Sequence, residues 1–183
     1  MSNLTFIYSS MNSGKSLSLL TKHHMLSSRG FNVVIAKPKI DTRDEGFIRT
    51  RLGLEQPCII IEDILSKVVL SPNKKKPDFI LIDEAQFLSK EQVWDLAGMV
   101  DNWGIEIICY GLRIDWKGNF FTGSEELFKI ADYLYPIENY CKEEKGKLAY
   151  FHVKLSGNDS AVEVGFEDLY DTVSRKAWVN RKK

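Results

Sequence analysis

The chain has 183 residues, and its 25 lysine and arginine residues balance 25 aspartate and glutamate residues, so the formal net charge is zero. Hydrophobic residues make up 44% of the chain and charged residues 27%, which is typical of a soluble globular protein of about one domain and argues against wholesale disorder. The balanced charge excludes a general electrostatic attraction to nucleic acid, which requires an excess of basic residues.

Membrane and disulfide-rich classes are also disfavoured. No apolar stretch approaches the roughly 18 residues of a membrane span, and the first residues lack the basic and apolar regions of a secretory signal. The three cysteines, Cys58, Cys109 and Cys141, are too few and too dispersed for a disulfide framework. We therefore expect a cytoplasmic protein with no membrane partner, in which Cys58 and Cys109 are small buried apolar residues.

Short apolar runs alternate with helical patterns over the first 135 residues. Strands are predicted at residues 4–8, 32–36, 58–61, 79–82 and 105–110, because apolar runs without alternation are typical of strands covered on both faces. Helices are predicted at 15–29, which Gly30 would end, at 89–102 with Ser89 as N-cap, and at 124–134. Residues 38–55 and 71–77 are predicted loops. The alternation predicts a parallel α/β sheet with right-handed crossovers.

The composition changes after Pro136. A charged segment, 138–147, is followed by strand-like runs at 148–155 and 161–164, with a turn predicted between them at 156–160. This tail is too short for an independent core. We therefore predict an α/β domain of residues 1–135 and a small β subdomain of residues 136–183 that docks on it.

The first strand leads directly into a candidate phosphate-binding loop, formed by Ser9, Ser10, Met11, Asn12, Ser13, Gly14, Lys15 and Ser16. The pattern GxxxxGK[ST] is met at Gly14, Lys15 and Ser16, while Ser9 takes the place of the first glycine. A loop between a strand and a helix aims backbone N–H groups at a phosphate. Lys15 would offer a point charge to the transferred phosphate, and Ser16 would offer a hydroxyl to Mg²⁺.

Two carboxylates, Asp83 and Glu84, follow the predicted strand 79–82. In phosphate-loop enzymes an aspartate at such a strand end holds the metal, and an adjacent glutamate can act as a base or orient the nucleophile. Alone, these two residues would more commonly cap the next helix. Together with the phosphate loop they predict a nucleotide site.

These motifs resemble those of the type II thymidine kinase family. Residues 8–16 resemble its phosphate loop, 83–88 its D-E-[AC]-Q-F strand end, and 109–121 its segment C-Y-G-L-R-T-D-F-x-G-x-x-F. Residues 51–54 and the turn 41–43 also match. The resemblance covers the whole chain and is strongest up to about residue 135. Its ordered motifs make it more specific than a phosphate loop alone.

The resemblance implies a RecA-like P-loop fold whose small C-terminal β subdomain carries a lasso-type substrate loop. It implies transfer of the γ-phosphate of ATP to the 5′-hydroxyl of thymidine or deoxyuridine. Glu84 would be the base, Lys15 would stabilise the transferring phosphoryl group, and Ser16 and Asp83 would hold Mg²⁺ directly or through water. ATP would be bound by residues 9–16, Asp83 and Gln86. The nucleoside would contact Met11, Asp41, Arg43, Phe87, Leu112, Trp116, Phe121, Val164, Gly165 and Tyr170.

Two parts of the sequence depart from the family pattern. The family closes its small domain with a structural zinc, but only Cys141 is retained here, and Glu143, Ser174 and Ala177 stand at ligand positions. One thiolate cannot complete a tetrahedral zinc site, so we expect no zinc. We expect packing in its place, by Tyr140, Tyr150, Phe151 and Trp178.

The second departure concerns the substrate pocket. Trp116 replaces a phenylalanine, and a larger ring can stack on a pyrimidine but takes up volume. In the lasso, Gly165 and Tyr170 match, while Phe166 replaces a glycine and restricts the backbone. Base specificity is therefore the part of the resemblance that the residues support least.

Two other functions remain as alternatives. A phosphate-loop motor ATPase acting on nucleic acid would need basic DNA-contacting loops, which a neutral chain disfavours. A degenerate nucleotide-binding protein is favoured slightly by the missing zinc ligands but opposed by Lys15, Ser16, Asp83 and Glu84. The family resemblance further implies a homotetramer, with ATP and thymidine as its small-molecule partners and no nucleic acid.

Overall fold

The computed structural model describes residues 1–41, 46–64, 75–155 and 169–181. The strands are β1 (Leu4–Ser9), β2 (Val33–Lys37), β3 (Phe47–Arg49), β4 (Glu55–Pro57), β5 (Ile59–Ile60), β6 (Phe79–Ile82), β7 (Glu106–Leu112), β8 (Tyr133–Pro136), β9 (Phe151–Lys154) and β10 (Tyr170–Val173). The helices are α1 (Lys15–Ser27), α2 (Lys90–Trp103), α3 (Thr122–Ile130) and α4 (Arg175–Arg181), with short 3-10 helices at Ile61–Asp63 and Ala85–Phe87.

Six strands form a parallel sheet in the order β5-β2-β6-β7-β1-β8. Strands β1 and β6, which end in the two sequence motifs, lie on either side of β7. The carboxyl ends of parallel strands meet at one edge of a sheet, so the two motifs meet there. This confirms the predicted parallel α/β sheet flanked by helices.

Both faces of the sheet are covered by helices. On one face, Ile80 and Ile82 pack in a cluster with residues of α2 and α3, including Leu96 and Leu127. On the other face, Leu81 packs with Leu19 and Leu20 of α1. Successive residues of a strand point to opposite faces, so a strand between two helical layers must be apolar throughout. This is why the buried strands appear in the sequence as unbroken apolar runs.

Helix α2 begins where the sequence predicts. The Ser89 side chain accepts a hydrogen bond from the Gln92 backbone N–H at 3.2 Å, and the Gln92 side chain accepts one from the Ser89 N–H at 2.8 Å. This is a capping box, which satisfies two N–H groups that the first helical turn leaves without partners. The helix ends at Gly104, whose φ of 62° is the left-handed conformation that glycine adopts most readily.

The predicted helix 124–134 is wrong at its end, because α3 stops at Ile130 and Leu134 lies in β8. The Asp132 side chain accepts a hydrogen bond from the Leu4 N–H at 2.8 Å, and β8 pairs with β1. Pairing at the edge of the sheet thus outweighs the local helical spacing of residues 130–134.

Other differences are smaller. The predicted loop 38–55 contains β3 and the first residue of β4, which form an antiparallel hairpin. Helix α4 lies in a segment for which the sequence predicted no helix. Cys109 is buried as predicted, whereas Cys58 is only half-buried.

The C-terminal part has a small core of its own. Strands β9 and β10 pair antiparallel, and a buried cluster joins Cys141, Ala149, Val153 and Val173, with Phe151, Ala177 and Trp178 packed against it. The Phe151 and Trp178 rings lie 4.9 Å apart, as predicted for these aromatics, while Tyr140 is exposed. The predicted turn 156–160 and strand 161–164 lie outside the described residues. None of the helices in the described ranges is long and apolar enough to span a membrane.

Candidate active site

The phosphate loop connects β1 to α1 through two left-handed backbone positions, Asn12 with φ 58° and Gly14 with φ 82°. Gly14 is the N-cap of α1, so the loop ends at the positive end of the helix dipole. The Ser9 hydroxyl lies 2.5 Å from the Ser13 hydroxyl and donates to the Ser10 carbonyl at 2.9 Å. Ser9, which replaces the usual glycine, therefore stabilises the loop through hydrogen bonds within it.

Lys15 and Ser16 occupy the positions that the motif predicts. The buried Lys15 side chain folds over the loop and donates to the Ser10 carbonyl at 3.0 Å. The Ser16 hydroxyl donates to Asp83 Oδ2 at 2.9 Å. The structure thus brings together the two residues predicted to hold Mg²⁺, although 67 positions separate them in the sequence.

Asp83 and Glu84 form a pair of carboxylates at the end of β6. Burial, reinforced by the neighbouring Glu84 carboxylate, raises the pKa of Asp83 to about 6. The Glu84 backbone N–H donates to Asp83 Oδ1 at 3.0 Å. Glu84 itself has a φ of 52°, a conformation that is costly for residues other than glycine and that clusters at functional sites.

Gln86 holds the Glu84 side chain in place. Its Nε2 donates to Glu84 Oε2 at 2.5 Å, and its Oε1 accepts from the Leu112 backbone N–H at 2.9 Å. Gln86 is buried at 2% exposure. Its side-chain hydrogen bonds within the described residues are therefore to the Glu84 carboxylate and to β7, and its predicted contact with ATP stays a prediction.

A cavity of about 220 Å³ lies between the phosphate loop and the β3–β4 hairpin. Lys15, Ser16 and Glu84 line it together with Arg49 and Arg51 of the hairpin. The sequence analysis did not assign these arginines to the site. The signal that could have found them is two arginines at positions i and i+2 in a polar segment, the second of which begins the matching segment 51–54.

The residues predicted to contact the nucleoside form two groups. The Phe87 and Phe121 rings meet edge to face at 5.7 Å. Trp116 and Tyr170 form the second group. The Lys154 ammonium lies 5.9 Å from the centre of the Trp116 ring and 5.7 Å from that of the Tyr170 ring. The Tyr170 hydroxyl is buried and has no hydrogen-bond partner among the described residues, which leaves a donor that a polar ligand could satisfy.

The other residues predicted to contact the nucleoside either make contacts elsewhere in the protein or lie outside the described residues. Asp41 is buried and forms an ion pair with the buried Lys37 at 3.6 Å. Arg43, Val164 and Gly165 lie outside the described residues. Met11 is held by two side chains that the sequence analysis missed, Asn139 and His152.

The positions of the family's zinc ligands do not fit a zinc ion. Cys141 lies in the apolar C-terminal cluster, and Ala177 packs against the same cluster. The Ser174 hydroxyl donates to the Glu144 carboxylate and accepts from the Ala177 backbone N–H at 3.1 Å. Within the described residues no three His, Cys, Asp or Glu side chains are grouped as metal ligands. One thiolate among apolar side chains lacks the four ligands of a structural zinc site.

Comparisons with known proteins show which proteins the whole chain is similar to. Residues 2–178 match the family model described as thymidine kinase. The chain is 37% identical to the thymidine kinase of Enterobacteria phage T4 over 187 residues, which cover 97% of this chain and 96% of that protein. It is 36% identical to the thymidine kinase of Zymomonas mobilis, covering 99% and 98% of the two chains. It is 37% identical to that of Idiomarina loihiensis, covering 97% and 96%.

Proposed function

Since the chain belongs to the thymidine kinase family and is an ATP-dependent kinase for thymidine, we propose that Glu84 is the base of its reaction and that deoxyuridine is a second acceptor. The supporting observation is that Glu84 shares one cavity with Lys15 and Ser16 of the phosphate loop. A phosphate donor and a hydroxyl acceptor can therefore meet between the loop and the carboxylate.

In this mechanism Glu84 accepts the proton of the nucleoside 5′-hydroxyl as that oxygen bonds to the γ-phosphorus. The bond between the γ-phosphorus and the bridging β-oxygen breaks, and ADP leaves. Gln86 orients Glu84 through its hydrogen bond to Oε2. Phosphoryl transfer depends mainly on positioning and electrostatics, so Lys15 would stabilise the charge that spreads over the transferring oxygens.

We assign the magnesium position to Ser16 Oγ and Asp83 Oδ2. A hydroxyl and a carboxylate 2.9 Å apart are the hard oxygen ligands that Mg²⁺ prefers. When bound, Mg²⁺ would neutralise charge on the β- and γ-phosphate oxygens of ATP. The Arg49 and Arg51 side chains that line the same cavity would add positive charge near the phosphates.

The nucleoside side of the pocket is assigned to the aromatic groups. Phe87, Phe121 and Trp116 offer ring faces for stacking on a pyrimidine. The buried Tyr170 hydroxyl, without a partner in the described part of the chain, would hydrogen-bond a polar group of the substrate. Met11, Asp41, Arg43, Leu112, Val164 and Gly165 complete the proposed contacts.

We also propose that the protein is a cytoplasmic homotetramer that does not act on nucleic acid. Strand β8 is an edge strand with exposed, stacked Tyr133 and Tyr135 rings. With α1 it borders a groove of about 810 Å³. Unpaired strand edges and exposed apolar patches favour association. The zero net charge supports the absence of a nucleic-acid partner.

Light scattering tests the assembly. The wild-type protein should have the mass of four chains, and Tyr135→Lys should reduce it, because a charge would be buried at the proposed contact. Val179→Lys changes an exposed residue of α4 and should leave the mass unchanged. A monomeric wild-type protein contradicts the proposal.

The reaction is tested with Mg-ATP and a panel of nucleosides, by quantifying ADP and nucleoside 5′-monophosphate. Thymidine and deoxyuridine should each yield one ADP per monophosphate, with negligible ATP consumption when no nucleoside is present. Stimulation of ADP release by DNA would support a motor ATPase. Nucleotide binding without any product would indicate a degenerate binding protein.

A further inference from the structure

His152 connects the C-terminal hairpin to the phosphate loop. It lies in β9 with 2% of its surface exposed. Its Nε2 accepts a hydrogen bond from the Met11 backbone N–H at 2.9 Å, and its ring also hydrogen-bonds the backbone of Ile114, just after β7. One imidazole thus joins three segments that are far apart in the sequence.

Asn139 holds the same part of the loop from a second position. Its Nδ2 lies 3.0 Å from the Met11 carbonyl and 3.1 Å from the Ser10 hydroxyl. It also lies 3.4 Å from the Thr172 hydroxyl in β10. Both backbone polar groups of Met11 are therefore bonded to side chains from beyond residue 138. This leaves phosphate binding to N–H groups nearer the start of α1.

The link requires a neutral imidazole, because Nε2 must keep its lone pair for Met11 while Nδ1 carries the hydrogen for the Ile114 carbonyl. Burial and the nearby positive charge of Lys15 lower the pKa of His152 to about 4, and Arg113 acts in the same direction. The hydrogen bond to Ile114 opposes this shift without cancelling it. His152 is thus neutral throughout the pH range in which a cytoplasmic enzyme works.

We propose that His152 is a positioning residue, which fixes the Met11 backbone so that the Met11 side chain and the first half of the loop are correctly placed for the nucleoside. This inference rests on the proposed place of Met11 in the nucleoside pocket. If the imidazole is lost, the Met11 N–H remains in a partly buried site without its acceptor, and the loop must shift to satisfy it.

Kinetics of two substitutions test the role. His152→Leu fills similar space without polar atoms, and it should raise the KM for thymidine about 10-fold and lower kcat several-fold, while the KM for ATP changes less. In His152→Gln an amide oxygen can accept from Met11 and an amide nitrogen can donate to Ile114. This variant should keep both constants within about threefold of wild type.

Val153→Ala is the matched control for damage to the hairpin. Val153 follows His152 in β9, so its side chain points to the opposite face of the strand, where it packs in the C-terminal cluster. It should lower Tm without changing either KM. If Val153→Ala reproduces the kinetic pattern of His152→Leu, or if His152→Leu has wild-type kinetics, the proposal is wrong.

A spectroscopic measurement on the wild-type protein tests the link directly, and a variant serves only to assign the signal. Nitrogen NMR of ¹⁵N-histidine-labelled protein should show one ring that stays neutral, with its hydrogen on Nδ1, from pH 8 to 5. Its signal should be missing in His152→Gln. A charged ring or a hydrogen on Nε2 overturns the link. If the wild-type protein phosphorylates no nucleoside, the proposed function fails, but this spectrum still decides whether His152 holds Met11.

Discussion

Glu84 shows how single residues set the chemistry of the site. Its left-handed backbone, with φ 52°, is held by the hydrogen bond to Asp83 Oδ1, and its carboxylate is held by Gln86. Because both its backbone and its carboxylate are hydrogen-bonded, the Glu84 side chain is held in one position before substrate binds. In the proposed mechanism that position is next to the acceptor hydroxyl.

Glu84→Gln tests the base. The amide keeps the size of the side chain but cannot accept the proton, so kcat should fall by about 10²–10⁴-fold while thymidine and ATP still bind. Steady-state kinetics and calorimetric binding check both parts. Glu91→Gln removes a carboxylate on the exposed side of α2 and should leave kcat unchanged. An unchanged kcat in Glu84→Gln at saturating substrates rules out the assignment.

The lowered pKa of His152 predicts that the stability of the protein depends on pH. Its pKa is about 4 in the folded protein, below the ordinary 6.5, so the unfolded chain binds a proton that the folded protein does not. Its contribution to the free energy of unfolding is therefore complete above about pH 6.5. As the pH falls towards 4, about 3 kcal/mol is lost.

Denaturant unfolding of wild type and His152→Gln between pH 7 and 4.5 measures this contribution. The free energy of unfolding should fall more steeply with acidification in the wild type, because only it carries the buried imidazole. Carboxylates titrate equally in both proteins and cancel in the difference. Parallel curves would mean that His152 is not held neutral by burial.

At the scale of elements, the site depends on how α3 packs against the 3-10 helix Ala85–Phe87. A Cβ on Gly123 would lie 2.3 Å from the Ala85 carbonyl oxygen and 3.0 Å from Leu88 backbone atoms. Only glycine allows such a close approach between two backbones. Because the 3-10 helix carries Gln86, this packing supports the residue that orients Glu84.

Gly123→Ala should therefore destabilise the protein by about 1–3 kcal/mol and lower kcat, since backbone atoms must move to admit the methyl group. Gly98→Ala is the matched control in α2, where the new Cβ would meet only Asn102 Nδ2 at 3.8 Å. That change should be neutral or stabilising by up to about 1 kcal/mol. Thermal unfolding and kcat measure both effects, and equal results for the two variants would contradict the packing argument.

At the scale of the whole molecule, the C-terminal part is bound to the rest of the chain by polar and aromatic contacts. Trp178 Nε1 donates to the Trp116 carbonyl at 3.0 Å, and Asn139 and His152 reach the phosphate loop. The Cys141 cluster and the Ser174–Glu144 hydrogen bond lie where the family resemblance implies zinc. Packing and hydrogen bonds thus stabilise the C-terminal part, which is too small for a large hydrophobic core.

We predict that the purified protein contains no stoichiometric zinc and that a chelator leaves its Tm unchanged. Elemental analysis and thermal unfolding with and without the chelator measure this. Cys141→Ala should cost only about 1 kcal/mol, as expected for a small buried side chain, whereas loss of a structural zinc ligand would unfold the region. One zinc per chain would require a different explanation of Cys141.

Much of this protein could be predicted from its sequence because the signals are local. Unbroken apolar runs predicted the parallel strands, Ser89 predicted the start of α2, and the phosphate-loop motif predicted that Lys15 and Ser16 lie at the start of α1. The expectation that Ser16 and Asp83 lie together came from the family resemblance, which places both at the Mg²⁺ ion, and the strand order explains why they meet at one edge of the sheet.

Only the tertiary structure decided the remaining features. The first two residues of β8 were predicted as helix and the strand itself was not predicted. Arg49 and Arg51 were not assigned to the cavity, and the bond between His152 and Met11 joins residues 141 positions apart. The physical reason is that hydrophobic periodicity records which face of an element is buried. It does not record which distant backbone group a polar side chain will reach, because that depends on how the elements pack.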